Sequence, residues 1–256
     1  MNSKKNIWKI HRKVAIEFCQ KLLTDSNVVG IVFFGSIGRR FGDELSDIDI
    51  GIFVKKGFDP KKYGLKWEGE TRFKGFDIDY FFKDFDEFVK EDLDIEGKWA
   101  YKFSEVYYDP TGELKRVIKE KTELSEEDWK YLEMEGIVQA YYYCVSVPRK
   151  LIARGDIESA YLSIFFGIKY LFQALYAYNR ELPAAEPWYY FWINKIKKPV
   201  NARELKKEIV EIVLISKLNK EKLLECIQKL ENIIKRLIPI FEKHLGMSFK
   251  EMEEIV

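Results

Sequence analysis

An α+β chain, with a mixed β-sheet half followed by a helical bundle, is predicted by three observations. Short apolar runs with period-2 alternation are confined to the first 110 or so residues. From Ser125 the apolar spacing becomes helical almost to the end. At 256 residues and 47% hydrophobic content, the chain is long and apolar enough for two buried cores, which predicts domains over 1–124 and 125–256.

The elements follow in order. Residues 4–24 carry Ile7, Ile10, Val14, Phe18 and Leu22 at helical spacing, and Asn27 and Gly30 mark the entry into a first strand. The run 28–34 is apolar throughout, as a buried strand requires, and Gly35-Ser36 lets the backbone turn sharply away from it. Ile48, Ile50 and Ile52 then alternate with Asp47, Asp49 and Gly51, so a second strand projects two carboxylates from one face, about 7 Å apart. Residues 55–71, rich in Lys and Gly, read as a loop or lid. The run 76–82 repeats the alternation and places Asp77 and Asp79 on one face of a third strand. Asp84 caps a helix through Leu93, and residues 103–108 form a further strand closed by Asp109-Pro110-Thr111-Gly112.

In the second half, Ser125-Glu126-Glu127-Asp128 is a capping signature with acids in the first turn. The helix it starts should reach about Arg154, kinked at Pro148. Gly155-Asp156 separates it from a helix over 157–179, and two more fit 202–217 and 219–245. The aromatic runs 141–143 and 188–192 read as core or interface, because consecutive residues on a helix cannot all face one site.

Composition narrows the function. A net charge of +1 and a pI of about 7.6 advertise no broad basic surface, which argues against an enzyme that grips extended nucleic acid. Cys19, Cys144 and Cys226 are isolated, so neither a disulfide framework nor a zinc site is expected. His11 and His244 are equally isolated and are assigned surface or helix-end roles. With no secretory signal and no apolar run long enough to span a bilayer, a cytoplasmic protein without a membrane partner is expected. The oligomeric state is left open, a homo-oligomer included.

The chemistry lies in the spacing of the strands. If the strand of Asp77 and Asp79 lies beside that of Asp47 and Asp49, three or four carboxylates converge. Anions that close are hard to sustain without cations, and hard oxygen ligands favour Mg²⁺ or Mn²⁺. Two such ions can clamp the attacking and leaving oxygens of a phosphoryl or nucleotidyl transfer. Asp79 and Asp77 share a face, and register alone decides between them.

Gly35-Ser36-Ile37-Gly38-Arg39-Arg40, followed by Ser46-Asp47-Ile48-Asp49-Ile50 and a later strand carboxylate, resembles the polymerase beta-like nucleotidyltransferases, especially their minimal and antibiotic-modifying branches. The resemblance implies that Gly35 and Ser36 bind the outer phosphates of a nucleoside triphosphate, the latter also through its hydroxyl. It makes Asp47, Asp49 and Asp79 the catalytic metal ligands, with Asp77 the in-phase alternative, and Arg39 and Arg40 neutralisers of the triphosphate. Gly155-Asp156, the apolar helix after it, Ala177-Tyr178-Asn179-Arg180, Pro183 and Pro187-Trp188 are similar to the helical domains fused behind such enzymes; Glu186 stands where those relatives often carry a basic residue.

The implied reaction moves a nucleoside monophosphate from ATP or another triphosphate to a hydroxyl of a small acceptor and releases pyrophosphate. The helical half is expected to form the second wall of the cleft, with Glu133, Glu135 and Glu158 as candidate bases for the acceptor. Alternatives are transfer to a protein or an RNA end, and a non-catalytic nucleotide-binding or antitoxin-like module.

Overall fold

The computed structural model describes residues 7–185 and 188–256. It divides into two compact units, Met1–Glu123 and Leu124–Val256. The first is built on a five-stranded mixed sheet and the second is helical, so the chain is α+β.

In the sheet unit, helix α1 (Ile7–Cys19) precedes β1 (Val28–Phe33), a one-turn helix α2 (Gly35–Gly38) and β2 (Ile48–Val54). A hairpin of β3 (Glu68–Phe73) and β4 (Phe76–Asp84) follows, then α3 (Phe85–Lys90), α4 (Ile95–Lys102), β5 (Glu105–Tyr108) and α5 (Glu113–Thr122). The strand order is β3-β4-β2-β1-β5, with β2 and β4 parallel and the other neighbours antiparallel.

Alternation along β2 builds two cores. Ile48, Ile50, Ile52 and Val54 point to one face and pack with Val14, Ala15, Phe18 and Cys19 of α1. Phe53 points to the other and packs with Val32, Phe85, Phe88, Tyr101 and Leu114, so α3, α4 and α5 cover that face at one end. Asp49 lies four residues earlier on the face of Phe53, toward the end where β1 runs into α2.

The assignment of 55–71 to a loop is corrected. Pro60–Tyr63 is a short 3₁₀ turn and Glu68–Phe73 is a full partner of β4. As an edge strand with alternate residues exposed, β3 needs no apolar run; main-chain bonds to β4 and the Lys74-Gly75 turn hold it. The helix after Asp84 stops at Lys90, and Asp94 caps a separate α4. Leu114, Val117 and Ile118 supply the helical spacing of α5, an element absent from the sequence reading.

The helical unit starts with α6 (Glu126–Tyr141), capped reciprocally by Ser125 and Asp128. A π-helical turn over Tyr142–Ser146 leads into α7 (Val147–Ala153), so Pro148 falls in the first turn of a new helix segment instead of inside one continuous helix. Then come α8 (Ile157–Tyr178), a single turn α9 (Tyr189–Trp192), α10 (Ala202–Val213), α11 (Lys220–Leu245) and α12 (Phe249–Ile255). Helix α10 ends four residues before the expected 217, and α9 and α12 are additions. Tyr189 and Trp192 are buried while Tyr190 and Phe191 are exposed. Glu186 and Pro187, part of the family echo, lie outside the described residues, as do positions 4–6 of the first predicted helix.

The expectation that no run could span a bilayer also needs correction. By length and composition α8 is such a helix, with 61% of its most apolar window buried among the other helices of the unit.

Candidate active site

Three carboxylates meet where β1, β2 and β4 present their motif ends. Asp47 immediately precedes β2, Asp49 is the second residue of that strand, and parallel pairing sets Asp79 of β4 directly beside Asp49. Each of the three offers a carboxylate oxygen, and these atoms all lie within 4.8 Å of one another. Asp77 is not among them. It is on the same strand face but two residues away, with its side chain 76% exposed and paired with Arg72 at 3.9 Å.

Charge accumulates at Asp49. Burial, the neighbouring Asp47 and, more weakly, Asp79 push its carboxyl up to about 6, while Arg39 pulls it down. Asp79 is raised in the same direction by burial, Asp47, Glu70 and Asp77. Glu70 enters because antiparallel pairing puts it opposite Asp79, so β3 extends the acidic face by one strand. The loop reading of 55–71 conceals that neighbour.

The turn after β1 is fitted to these acids. Gly35 has φ +53, and a Cβ there would lie 1.7 Å from Asp49 Oδ2, so only glycine lets the carboxylate sit against the turn. The amide of Phe34 donates to the Asp49 carbonyl at 3.0 Å, joining the turn to the strand from the main chain as well. Ser36 is buried, and its hydroxyl donates to the Asp47 carbonyl at 3.2 Å. Through that contact the Ser36 side chain braces the turn against the residue before β2.

The two arginines separate. Arg39 is half-buried, with its guanidinium 5.5 Å from the centre of the Trp99 ring and under the fields of Asp49 and Asp47. Arg40 is exposed, in a left-handed backbone conformation at φ 52.

His11 departs furthest from expectation. It is 1% exposed, with Nδ1 2.9 Å from Ser36 Oγ. The signal was present in the spacing, since His11, Val14, Ala15 and Phe18 share one helical face.

The profile of the nucleotidyltransferase domain family matches residues 11–141, half of the chain, and the chain belongs to that family, within the polymerase beta-like superfamily. The match begins at His11 and includes Gly35, Ser36, Asp47, Asp49 and Asp79. A solved nucleotidyltransferase-like protein from Exiguobacterium sibiricum 255-15 is similar over 91% of this chain and 77% of its own, at 12% identity and a TM-score of 0.50. At that identity the likeness is one of fold. No curated protein matches. The protein is a nucleotidyltransferase.

Proposed function

We propose that this nucleotidyltransferase moves a nucleoside monophosphate from a triphosphate, ATP being the first choice, to a hydroxyl of a small acceptor with release of pyrophosphate, in a cytoplasmic setting. The observation that carries the reading is the convergence of Asp47, Asp49 and Asp79 against a turn that has no side chain at Gly35. An intact acid set is what catalysis needs and a binding module does not.

The donor set fits a divalent cation. Three hard carboxylate oxygens lie within 4.8 Å of one another, and the Asp49 carboxyl, raised by burial first and by Asp47 and Asp79 after it, carries a charge that a cation would stabilise. Asp47, Asp49 and Asp79 would hold Mg²⁺ or Mn²⁺, which when bound supplies electrostatic stabilisation to oxygens that gain charge during transfer.

The chain's own residues do the rest. Gly35, by carrying no side chain, keeps the Asp49 carboxylate seated against the turn. Arg39 contributes a fixed positive charge at the buried side of the cluster. The acceptor oxygen attacks the α-phosphorus as the bond to pyrophosphate breaks, and the acceptor's proton passes to Asp79, the carboxylate that β4 sets beside Asp49.

Pyrophosphate release measured across nucleotides and hydroxyl acceptors, with Mg²⁺ and Mn²⁺, tests the proposal. Transfer to a small hydroxyl compound supports it. Divalent-dependent triphosphate binding with no release for any small acceptor, but with labelling of a protein or an RNA end, would replace the acceptor class.

A further inference from the structure

His11 links three elements that the chemistry above uses separately. One turn before Val14 on α1, its ring enters the buried side of the motif turn, and Phe76 at the start of β4 closes on it edge-on at 5.3 Å. A carbonyl can only accept, so for Ser36 Oγ to bond both the Asp47 carbonyl at 3.2 Å and His11 Nδ1 at 2.9 Å its single proton must go to the carbonyl and Nδ1–H must donate to Oγ. The return leg of the turn rests on the same serine. The amide of Phe41 donates to the Ser36 carbonyl at 3.0 Å, and a Cβ at Gly42 would lie 2.6 Å from Ser36 Cβ. Moving Ser36 therefore moves the segment from Gly35 to Gly42 and the main chain of Asp47 together.

We propose that His11 is a positioning residue for nucleotide binding: by donating from Nδ1 to Ser36 it holds the motif turn and the Asp47 backbone in the arrangement that receives a triphosphate. This rests on the reading of the turn as the triphosphate seat. Without the imidazole donor, Ser36 loses a buried partner and the turn spends less time in the competent arrangement, so apparent affinity falls in proportion to the fraction lost. Asparagine can place an N–H close to the position of Nδ1, whereas leucine fills the apolar volume without a donor. A packing role and a positioning role therefore rank these two substitutions in opposite orders.

The test uses the full chain and three readouts: thermal stability, affinity for ATP with Mg²⁺, and the ¹⁵N spectrum of the His11 imidazole without nucleotide. The wild-type ring is expected as the neutral Nδ1–H tautomer, and Ser36→Ala should abolish that preference. His11→Leu should stay folded yet bind ATP roughly 10- to 100-fold more weakly, the range for a buried group that loses its partner, with KM for the triphosphate affected more than kcat. His11→Asn should recover most of the affinity even where its stability is lower. An Nε2–H tautomer in the wild type, or His11→Leu binding ATP as tightly as wild type while His11→Asn binds worse, overturns the proposal. If His11→Leu does not fold, Ser36→Ala and the tautomer decide. Should the wild type bind no triphosphate with any divalent ion, the triphosphate reading fails, and the nucleotide-free spectrum still judges the His11–Ser36 bond separately.

Discussion

Asp49 in the sheet unit and Glu133 in the helical unit are both carboxylates raised mainly by burial, but their neighbours act in opposite senses. Around Glu133, fully buried on α6, every neighbour lowers the carboxyl: His244 Nδ1 is 2.7 Å away and Arg180 Nη1 3.4 Å, the latter also held by Glu126. Around Asp49, two of three charged neighbours are acids and raise it. Glu133 is thus a strut between α6, the residues after α8 and the end of α11, with its oxygens already engaged. That removes it as a free base for an acceptor. A carboxylate buried among bases holds helices together, and one buried among acids calls for a cation from outside the chain.

The largest effect should separate the two at once. Asp49→Asn or Asp47→Asn is expected to lower nucleotidyl transfer by at least about 10³-fold, since an anionic ligand and its geometry are lost together. Steady-state pyrophosphate release on folded protein checks it, and near wild-type turnover would dismantle the site. Glu133→Ala should instead destabilise by about 3–5 kcal/mol, because Arg180 loses its buried counter-charge and His244 Nδ1 its hydrogen-bond partner. Urea unfolding measures that, and a loss under 1 kcal/mol would deny Glu133 its strut role.

A smaller, opposite change is expected at Asp49 without metal. Its carboxyl is raised from 3.8 to about 6, so the folded state binds the proton more tightly than the unfolded chain. The sign follows. The folded form is favoured by this group below pH 4 and loses that advantage as pH rises through about 6. Metal-free Asp49→Asn should therefore be more stable than wild type at pH 7.5, by about 1–2 kcal/mol after allowing for solvent screening, and the gain should vanish below pH 4. Thermal unfolding in chelator across pH tests this; equal stability at both pH values would mean that the acids are already neutralised within the chain. By the same proton competition, Mn²⁺ affinity should fall as pH drops through about 6. The smallest effect belongs to Arg40→Ala, whose exposed side chain should change ATP affinity less than about threefold, against a larger loss for Arg39→Ala, in a paired binding titration.

The elements that bury one face and show another were legible. Isoleucines alternating with Asp47 and Asp49 could only be a half-buried strand, and the repeat at Asp77-Ile78-Asp79 announced its neighbour. What alternation could not supply was which of Asp77 and Asp79 lies level with Asp49, because that is a property of pairing. Strand β3 was illegible for another reason: Glu68, Glu70 and Arg72 meet solvent at a sheet edge, and main-chain bonding leaves no mark on composition. His11 had a legible address and an illegible purpose. Its spacing put it on the apolar face of α1, but its partner Ser36 is 25 residues away and is found only once the turn has folded.

The fit between Gly35 and Asp49 has an evolutionary corollary. With 1.7 Å between a would-be Cβ and the carboxylate oxygen, the two positions are a lock whose halves cannot be exchanged one at a time. In a lineage that has ceased to use the activity, a side chain at 35 becomes tolerable once the residue at 49 has shortened. Descendants of this chain that have become inactive should carry paired changes at 35 and 49, and an alanine at 35 beside an intact aspartate should be rare among them.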